Sequence, residues 1–512
     1  MARTGNEKLA SALRDAASVR FGNIVSSAQL KSTVRTLLVK EGYLKQIVRG
    51  WYLFDADITV GDAGGSALWY QSIWQFVGLY LKESYGDDYW LNPEASIDLH
   101  TVNNSLPKQL VVFTSNGATK HISLPNDMSL MVIKSPERPP AVVDYQGVRL
   151  LSLEFALANL APTIYRSNPL AVQIALGQSD VNAVADSLLV TKNLQSANRL
   201  IGAYLEVGQK ASSRNLNSMI SAAGLGPVKA VNPFAEPVIS IGNKRQESAA
   251  AVRVRLLWRK LRDEVEQIFS DKPSSDFFEA PLSDLLESVD QVYVSDAYNS
   301  LSIEGYAVTE ELISRVASGE WDAESIESDK QQRDALAARG YYEAFQVVRG
   351  FIQEVHGEGS QDLDLEYLLD VSLTEIYTSL FRPCVTAGII SERDIVGYRK
   401  GPIIIRTSRH MPPQSEQLMD CMGALKELMV EEPSFAVKAV LGHFFLGYIH
   451  AFPDGNGRTS RFVMNLMFLM GGYRWTVVPV AERDRYLDAL ESASIDGDIG
   501  PFARFLREVM PG

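Results

Sequence analysis

The sequence predicts a multidomain protein: a small helix-and-hairpin module, then an α/β domain, then a mostly α-helical second half. Three observations carry that prediction. The chain has 512 residues, and at about 150 residues per domain that length allows three or four folding units. The period of its apolar residues changes along the chain, from mixed helical and alternating patterns before residue 222 to helical spacing after Lys244. Between the two, Gly224, Gly226, Pro227, Pro233 and Pro237 interrupt every period. The expected divisions are 1–60, 61–222, a linker over 223–245, and 246–512.

Composition narrows the class. Hydrophobic residues make up 46% and charged residues 22%, which excludes a disordered or collagen-like chain. Two cysteines, Cys384 and Cys421, exclude a disulfide scaffold and favour a reducing compartment. A formal net charge of -13 argues against wholesale coating of nucleic acid and leaves room for a local basic module. Met1 to Arg20 carries Arg3, Glu7, Lys8, Arg14 and Asp15, not the apolar core of a signal peptide. No uncharged stretch of 18 or more apolar residues occurs; the nearest, Ser66 to Leu81, contains Gln71, Ser72 and Gln75, so no membrane partner is expected and the location expected is cytoplasmic.

The first module is basic. Nine Lys or Arg residues between Met1 and Gly50 face three acids, Glu7, Asp15 and Glu41. Ser27 to Glu41 reads as a helix with Leu30, Val34, Leu37 and Leu38 on one face, stopped by Gly42. Tyr43 to Phe54 follows as two β-prone runs turning at Arg49-Gly50. Helices followed by a basic hairpin form the winged-helix pattern, so DNA is an expected partner of residues 1–60.

In the next domain, Ser66 to Lys82 reads as a helix whose Leu68, Trp69, Ile73, Phe76, Val77 and Tyr80 form a core stripe. Ser96 to Thr101, Gln109 to Thr114 and Ser129 to Lys134 read as β runs, and helical text resumes at Leu153. His100 and His121 have no partners at ligand spacing, so no chemistry is assigned here. With Gly50-Trp51-Tyr52, this pattern resembles the AbiE-type antitoxins, which join a winged helix to an α/β domain.

The second half is helical: Val252 to Phe269, Ala335 to Gln353, Leu363 to Leu380, Gln414 to Met429 and Ala436 to Ile449 are each amphipathic. Chemistry concentrates in His450-Ala451-Phe452-Pro453-Asp454-Gly455-Asn456-Gly457-Arg458-Thr459-Ser460-Arg461, a short loop between Ala436–Ile449 and a helix over Thr459–Met470. Gly455 and Gly457 permit positive φ and leave no Cβ, so successive N–H groups can line one concavity. That concavity opens at a helix N-terminus, which favours an anion. Arg458 and Arg461, three apart, lie on one side of the helix and match phosphate oxygens bidentately. Asp454 fits such a pocket once a cation such as Mg²⁺ bridges it to the phosphates. His450 is the side chain here that can accept a proton near neutral pH. Together these parts describe a polyphosphate cradle with a metal and a base, the equipment of phosphoryl or nucleotidyl transfer.

The segment matches the Fic motif, His-x-Phe-x-Asp/Glu-Gly-Asn-Gly-Arg-x-x-Arg, at every defined position, and residues 246–512 resemble a Fic domain. The resemblance implies a mostly α-helical domain with a β-hairpin flap. It makes His450 the catalytic base and Asp454, Gly455, Asn456, Gly457, Arg458, Thr459, Ser460 and Arg461 the ATP site, with Mg²⁺ on Asp454. Gly397-Tyr398-Arg399 and Ile403 through Pro413 look like the flap, so Thr407, Ser408, Arg409 and His410 are expected to dock an extended target segment. Tyr486 is expected at the adenine wall. Ser300-Leu301-Ser302-Ile303-Glu304-Gly305 resembles the Fic inhibitory motif, on a helix expected near 293–306. Ser300, Glu304 and Gly305 would then block the γ-phosphate position, with Glu304 paired to Arg461.

The implied activity is protein adenylylation, in which AMP passes from ATP to a Ser, Thr or Tyr hydroxyl of a target protein, or of the chain itself. Relatives also remove AMP, or transfer UMP, phosphocholine or phosphate. Gly457 stands where the phosphate-transferring Doc-type relatives carry Lys. A different reading makes the chain a DNA-binding regulator with the Fic domain as nucleotide sensor.

Overall fold

The computed structural model describes residues 5–55, 65–103, 106–135, 137–235, 247–271, 273, 277, 279–318, 333–358, 364–403, 405 and 408–511. The chain divides into two compact units: Met1–Ala249 with Ile404–Met411, and Ala250–Ile403 with Pro412–Gly512.

The first unit begins with helix Gly5–Val19, strand Ile24–Ser26, helix Ser32–Lys40 and strands Leu44–Val48 and Trp51–Phe54. The three strands form an antiparallel sheet with Trp51–Phe54 in the centre. The helix expected over Ser27–Glu41 is broken. Ser26 and Gln29 close a capping box around a 3₁₀ turn at Ser27–Gln29, and the α-helix restarts at Ser32. Its inward face is still the expected one, since Leu30 and Leu38 are buried against Ala12, Ala16, Val25, Leu44 and Phe54.

Helix Gly65–Tyr85 follows, and its Trp69, Ile73, Phe76 and Val77 are buried. They pack in one cluster with Ile47, Trp51 and Leu53 of the hairpin, so a single core runs across residue 60. A four-stranded sheet comes next, in the order Trp90–Leu91, Gln109–Thr114, Ser129–Lys134, Lys120–Ser123, with its central pair parallel. Ser96–Thr101 is not a strand. Asn92 caps a helix over Pro93–His100 by accepting from Ala95 N–H, and Pro93 opens it. A hairpin, Val142–Tyr145 with Val148–Leu151, was not legible in the sequence; its turn holds Gln146 and Gly147 at φ 55° and 82°. Helices from Leu153 to Ala222 bury Leu157, Val172, Leu188 and Leu200 in a second core.

The second unit is helical. At its centre lie helices Phe435–Ile449 and Asn456–Met470, each buried on nearly every side. Phe435–Ile449 is apolar almost all round, as a helix inside a domain is. Around them stand Ala249–Ile268, Leu282–Ile303, Arg333–Glu358, Leu365–Thr386, Leu418–Glu431, Arg483–Ile495 and Gly500–Val509. Aromatic contacts fix the packing: Tyr341 meets Phe462 at 4.7 Å and Tyr377 stacks on Phe452 at 4.1 Å between ring centroids. Of the hairpin expected over 397–413, residues 404, 406 and 407 lie outside the described residues, and His410 is in a β-bridge. At its two ends the carbonyls of Gly401 and Pro413 accept from the Arg399 guanidinium. Among the described residues, no helix is long and apolar enough to cross a membrane.

Candidate active site

The site grows from the ends of three helices in the second unit. Helix Phe435–Ile449 ends at His450, which takes the left-handed conformation at φ 50°, ψ 54°. Its ring is oriented by the preceding turn, with Nδ1 3.1 Å from the Gly447 carbonyl. A carbonyl only accepts, so Nδ1 carries the hydrogen and Nε2 keeps its lone pair. Burial lowers the His450 pKa below the ordinary imidazole value; the Gly447 carbonyl and the Glu304 carboxylate pull less strongly the other way. The ring is therefore neutral at pH 7, the form a base requires.

The loop is held by its own side chains. Phe452 is buried against Tyr377 and Tyr398. Asn456 brackets the Phe452 backbone, accepting from its N–H at 2.9 Å and donating to its carbonyl at 2.8 Å. Gly455 is the N-cap of the next helix at φ 75°. Gly457 is different: it is helical, not left-handed, and its bare Cα serves close approach and not backbone freedom. The N–H groups of Asn456 to Arg458 come before the first intrahelical bond, Thr459 N–H to Gly455 O.

Both arginines are buried, Arg458 at 1% and Arg461 at 3% exposure. Arg458 lies between the rings of Tyr306 and Phe381, 5.2 Å from each centroid, and Nη2 stands 3.4 Å from Asp454 Oδ2. Its Nε has no partner among the described residues. Thr459 and Ser460 are packed inside, and the Ser460 hydroxyl donates to Gly457 O. Asp454 is more exposed: Oδ1 accepts from Gly455 N–H at 2.6 Å, and its side chain is 59% exposed.

The third element is helix Leu282–Ile303. Ser300 is buried and accepts from Arg461 Nε at 2.8 Å, while its carbonyl accepts from Nη2. Glu304 caps the helix C-terminus, and its Oε1 lies 2.7 Å from Arg461 Nη2. Gly305, at φ 84°, donates to Ser302 O, and Tyr306 donates to Leu301 O. That pair of bonds is a Schellman motif, which explains a glycine after the glutamate: the chain must turn left-handed there. Asn299 and Arg483 pin the same helix end, through Val480 N–H and the Ile303 carbonyl. Burial alone would raise the Glu304 carboxyl, but the two guanidiniums outweigh it and hold its pKa below the ordinary value. Glu304 is thus an ionised carboxylate paired with Arg461.

The expected residues Ser300, Glu304, Gly305, His450, Asp454 and Gly455 to Arg461 therefore converge. Ser408, Arg409 and His410 group with the first unit, and Thr407 lies outside the described residues. Tyr486 occupies a core position at 2% exposure: its hydroxyl lies 2.8 Å from His443 Nε2, and its ring packs on Phe502 and Phe505. Tyr306 and Phe381, which flank Arg458, had no signal in the sequence because each is far from the loop in the chain.

The Fic/DOC family matches residues 371–468, a span that takes in the whole loop. The chain carries a Fic domain. The Fic domain is 37% identical over 103 residues to proteins named protein adenylyltransferase Fic from Culex quinquefasciatus and Drosophila virilis. The match covers 19% of this chain and 20% and 21% of those, so it spans about a fifth of the curated relatives' length. Among solved structures, Fic-1 (aa134–508) of C. elegans is 16% identical with a TM-score of 0.34, over 70% of this chain and 88% of that one. A Fic domain containing signaling protein from Bacteroides thetaiotaomicron is 17% identical with a TM-score of 0.35, over 49% and 93%.

Proposed function

We propose that the chain is a protein adenylyltransferase restrained by Glu304. The observation that carries this reading is the ionised Glu304 carboxylate, 2.7 Å from Arg461 at the start of helix Asn456–Met470. A guanidinium that holds one anion beside a helix N-terminus is suited to a phosphate once that anion leaves. ATP would lie along the Asn456–Arg458 backbone, its terminal phosphates toward Arg458 and Arg461.

The reaction balances simply. The acceptor hydroxyl gives its proton to His450 Nε2 while its oxygen bonds to the α-phosphorus. The bond from the α-phosphorus to the bridging oxygen breaks, and the electron pair leaves with pyrophosphate. Positioning and charge supply most of the acceleration in such a transfer. Asp454 fits a Mg²⁺ ion, since one exposed carboxylate plus substrate phosphates is a usual Mg²⁺ ligand set. Among the described residues no group of three or more His, Cys, Asp or Glu could hold a metal by itself. When bound, the ion would neutralise phosphate charge. The test is the intact mass of the Glu304→Gly protein after incubation with ATP and Mg²⁺. A gain of one or more AMP groups, absent when His450→Ala is added, supports the reading; an unchanged mass in both overturns it.

A second reading concerns residues 5–55. Opposite buried Leu38, helix Ser32–Lys40 exposes Ser32, Thr33, Thr36, Val39 and Lys40, and the hairpin exposes Lys45 and Gln46. A mostly polar helix face beside a hairpin carrying Lys45 and Arg49 suits the major groove and phosphates of duplex DNA. A gel shift that weakens steeply with salt and vanishes with Lys40→Glu and Lys45→Glu supports it; no shift at low salt removes it.

A further inference from the structure

We infer that Arg399 is a positioning residue for the base: it fixes the backbone of His450 and ties it to both ends of the 401–413 segment. This rests on the adenylyltransferase reading and adds a residue to the same site. Arg399 is only 6% exposed, yet among the described residues no carboxylate lies within ion-pair distance of it. Its guanidinium is given to carbonyls: Nε donates to His450 O at 2.8 Å, Nη1 to Gly401 O at 2.7 Å, and Nη2 to Pro413 O. Its backbone N–H donates to Ala451 O at 2.9 Å.

Burying a guanidinium without a carboxylate is costly. Burial indeed pulls the Arg399 pKa below the ordinary value, although Cys421 and Glu416 act the other way. What the cost secures is visible at His450. A non-glycine residue at φ 50° is strained, and such strain persists only where the surroundings over-determine it. Arg399 does so by holding two consecutive carbonyls, those of His450 and Ala451. The ring is held from its other side, by Nδ1 to Gly447 O. With both ends of the residue fixed, Nε2 has one position. The bonds to Gly401 and Pro413 anchor the segment to the same guanidinium. Lysine cannot replace it, because a point ammonium cannot span three separated carbonyls.

The test uses the full chain carrying Glu304→Gly, alone and with Arg399→Ala or Arg399→Lys. Displacing Nε2 by about 1 Å should lower kcat roughly 100-fold and leave the Kd for ATP within about twofold. Millimolar guanidinium chloride should restore part of the activity to Arg399→Ala and none to His450→Ala. A kcat within about threefold of the parent, or an equal loss of ATP affinity, would overturn the inference. If Arg399→Ala does not fold, the Lys variant decides. The adenylyltransferase reading can fail separately, with the Glu304→Gly protein transferring nothing. Ring NMR signals then decide: those of His450 should move in Arg399→Lys while those of His443 stay, and an unmoved His450 signal refutes the role of Arg399.

Discussion

The Glu304 carboxylate occupies the space that a side chain on Gly457 would enter. A Cβ there would lie 2.4 Å from Glu304 Oε1 and 3.2 Å from Arg461 Nη1. The loop glycine is thus required by the carboxylate that comes close. Gly457→Ala should cost about 1–3 kcal/mol with Glu304 present, as overpacking does, and clearly less with Glu304→Gly. Urea unfolding of the four proteins of that cycle measures the coupling. Strictly additive effects would contradict the contact.

Removing the carboxylate should release the restraint. Glu304→Gly is expected to raise the initial rate of AMP transfer about 5–150-fold, the range of ordinary coupling free energies. Glu304→Gln, which keeps the shape and loses the charge, should fall between the two. Rates measured at saturating and at low ATP separate affinity from turnover, and an unchanged rate in both variants would refute the restraint.

The pH dependence follows from His450. The base works only when neutral, and its folded-state pKa is lowered by burial. AMP transfer by Glu304→Gly should therefore stay level down to about pH 6.5 and decline only below it. Because the Glu304 carboxylate raises His450, the acid limb of Glu304→Asp, which keeps a carboxylate, should lie at higher pH. A limb above pH 7 in Glu304→Gly would contradict the buried, neutral ring. The stability carried by this histidine has the same sign: present above about pH 6.5 and lost as pH falls through the lowered folded value.

Asp296 lies beneath the site and behaves oppositely. Burial raises its pKa from 3.8 to about 6, although the Tyr341 hydroxyl donates to it at 2.7 Å and Arg461 favours its charge. Its stabilising contribution is full below the unfolded value and lost as pH rises through about 6. Asp296→Asn keeps an acceptor for Tyr341 and removes the charge. It should gain about 1–3 kcal/mol at pH 8 and almost nothing at pH 4. Urea midpoints at the two pH values check this, and a loss at pH 8 would contradict it.

What the sequence could reveal depended on chain distance. The loop from His450 to Arg461 was legible because its chemistry is local: a helix end, a glycine N-cap and two arginines one turn apart. Glu304 was legible through a short motif, and the Schellman turn at Gly305 shows why that motif ends in glycine. Gly457 was misread as a source of positive φ, since sequence alone cannot tell a glycine that turns from one that yields space. Ser96–Thr101 was misread because Asn92-Pro93, a helix start, lies outside the run that looked β-like. Tyr306 and Phe381 escaped, and Arg399 was read only as part of the flap, because they reach the loop only through the fold.

The most direct measurement is the fate of each phosphate. Glu304→Gly protein is incubated with ATP labelled on the α-phosphate or on the γ-phosphate, with and without His450→Ala. The account predicts α-label on protein, no γ-label, and neither when His450 is replaced. Protein that takes up γ-label without α-label, or α-label that survives loss of His450, would contradict it.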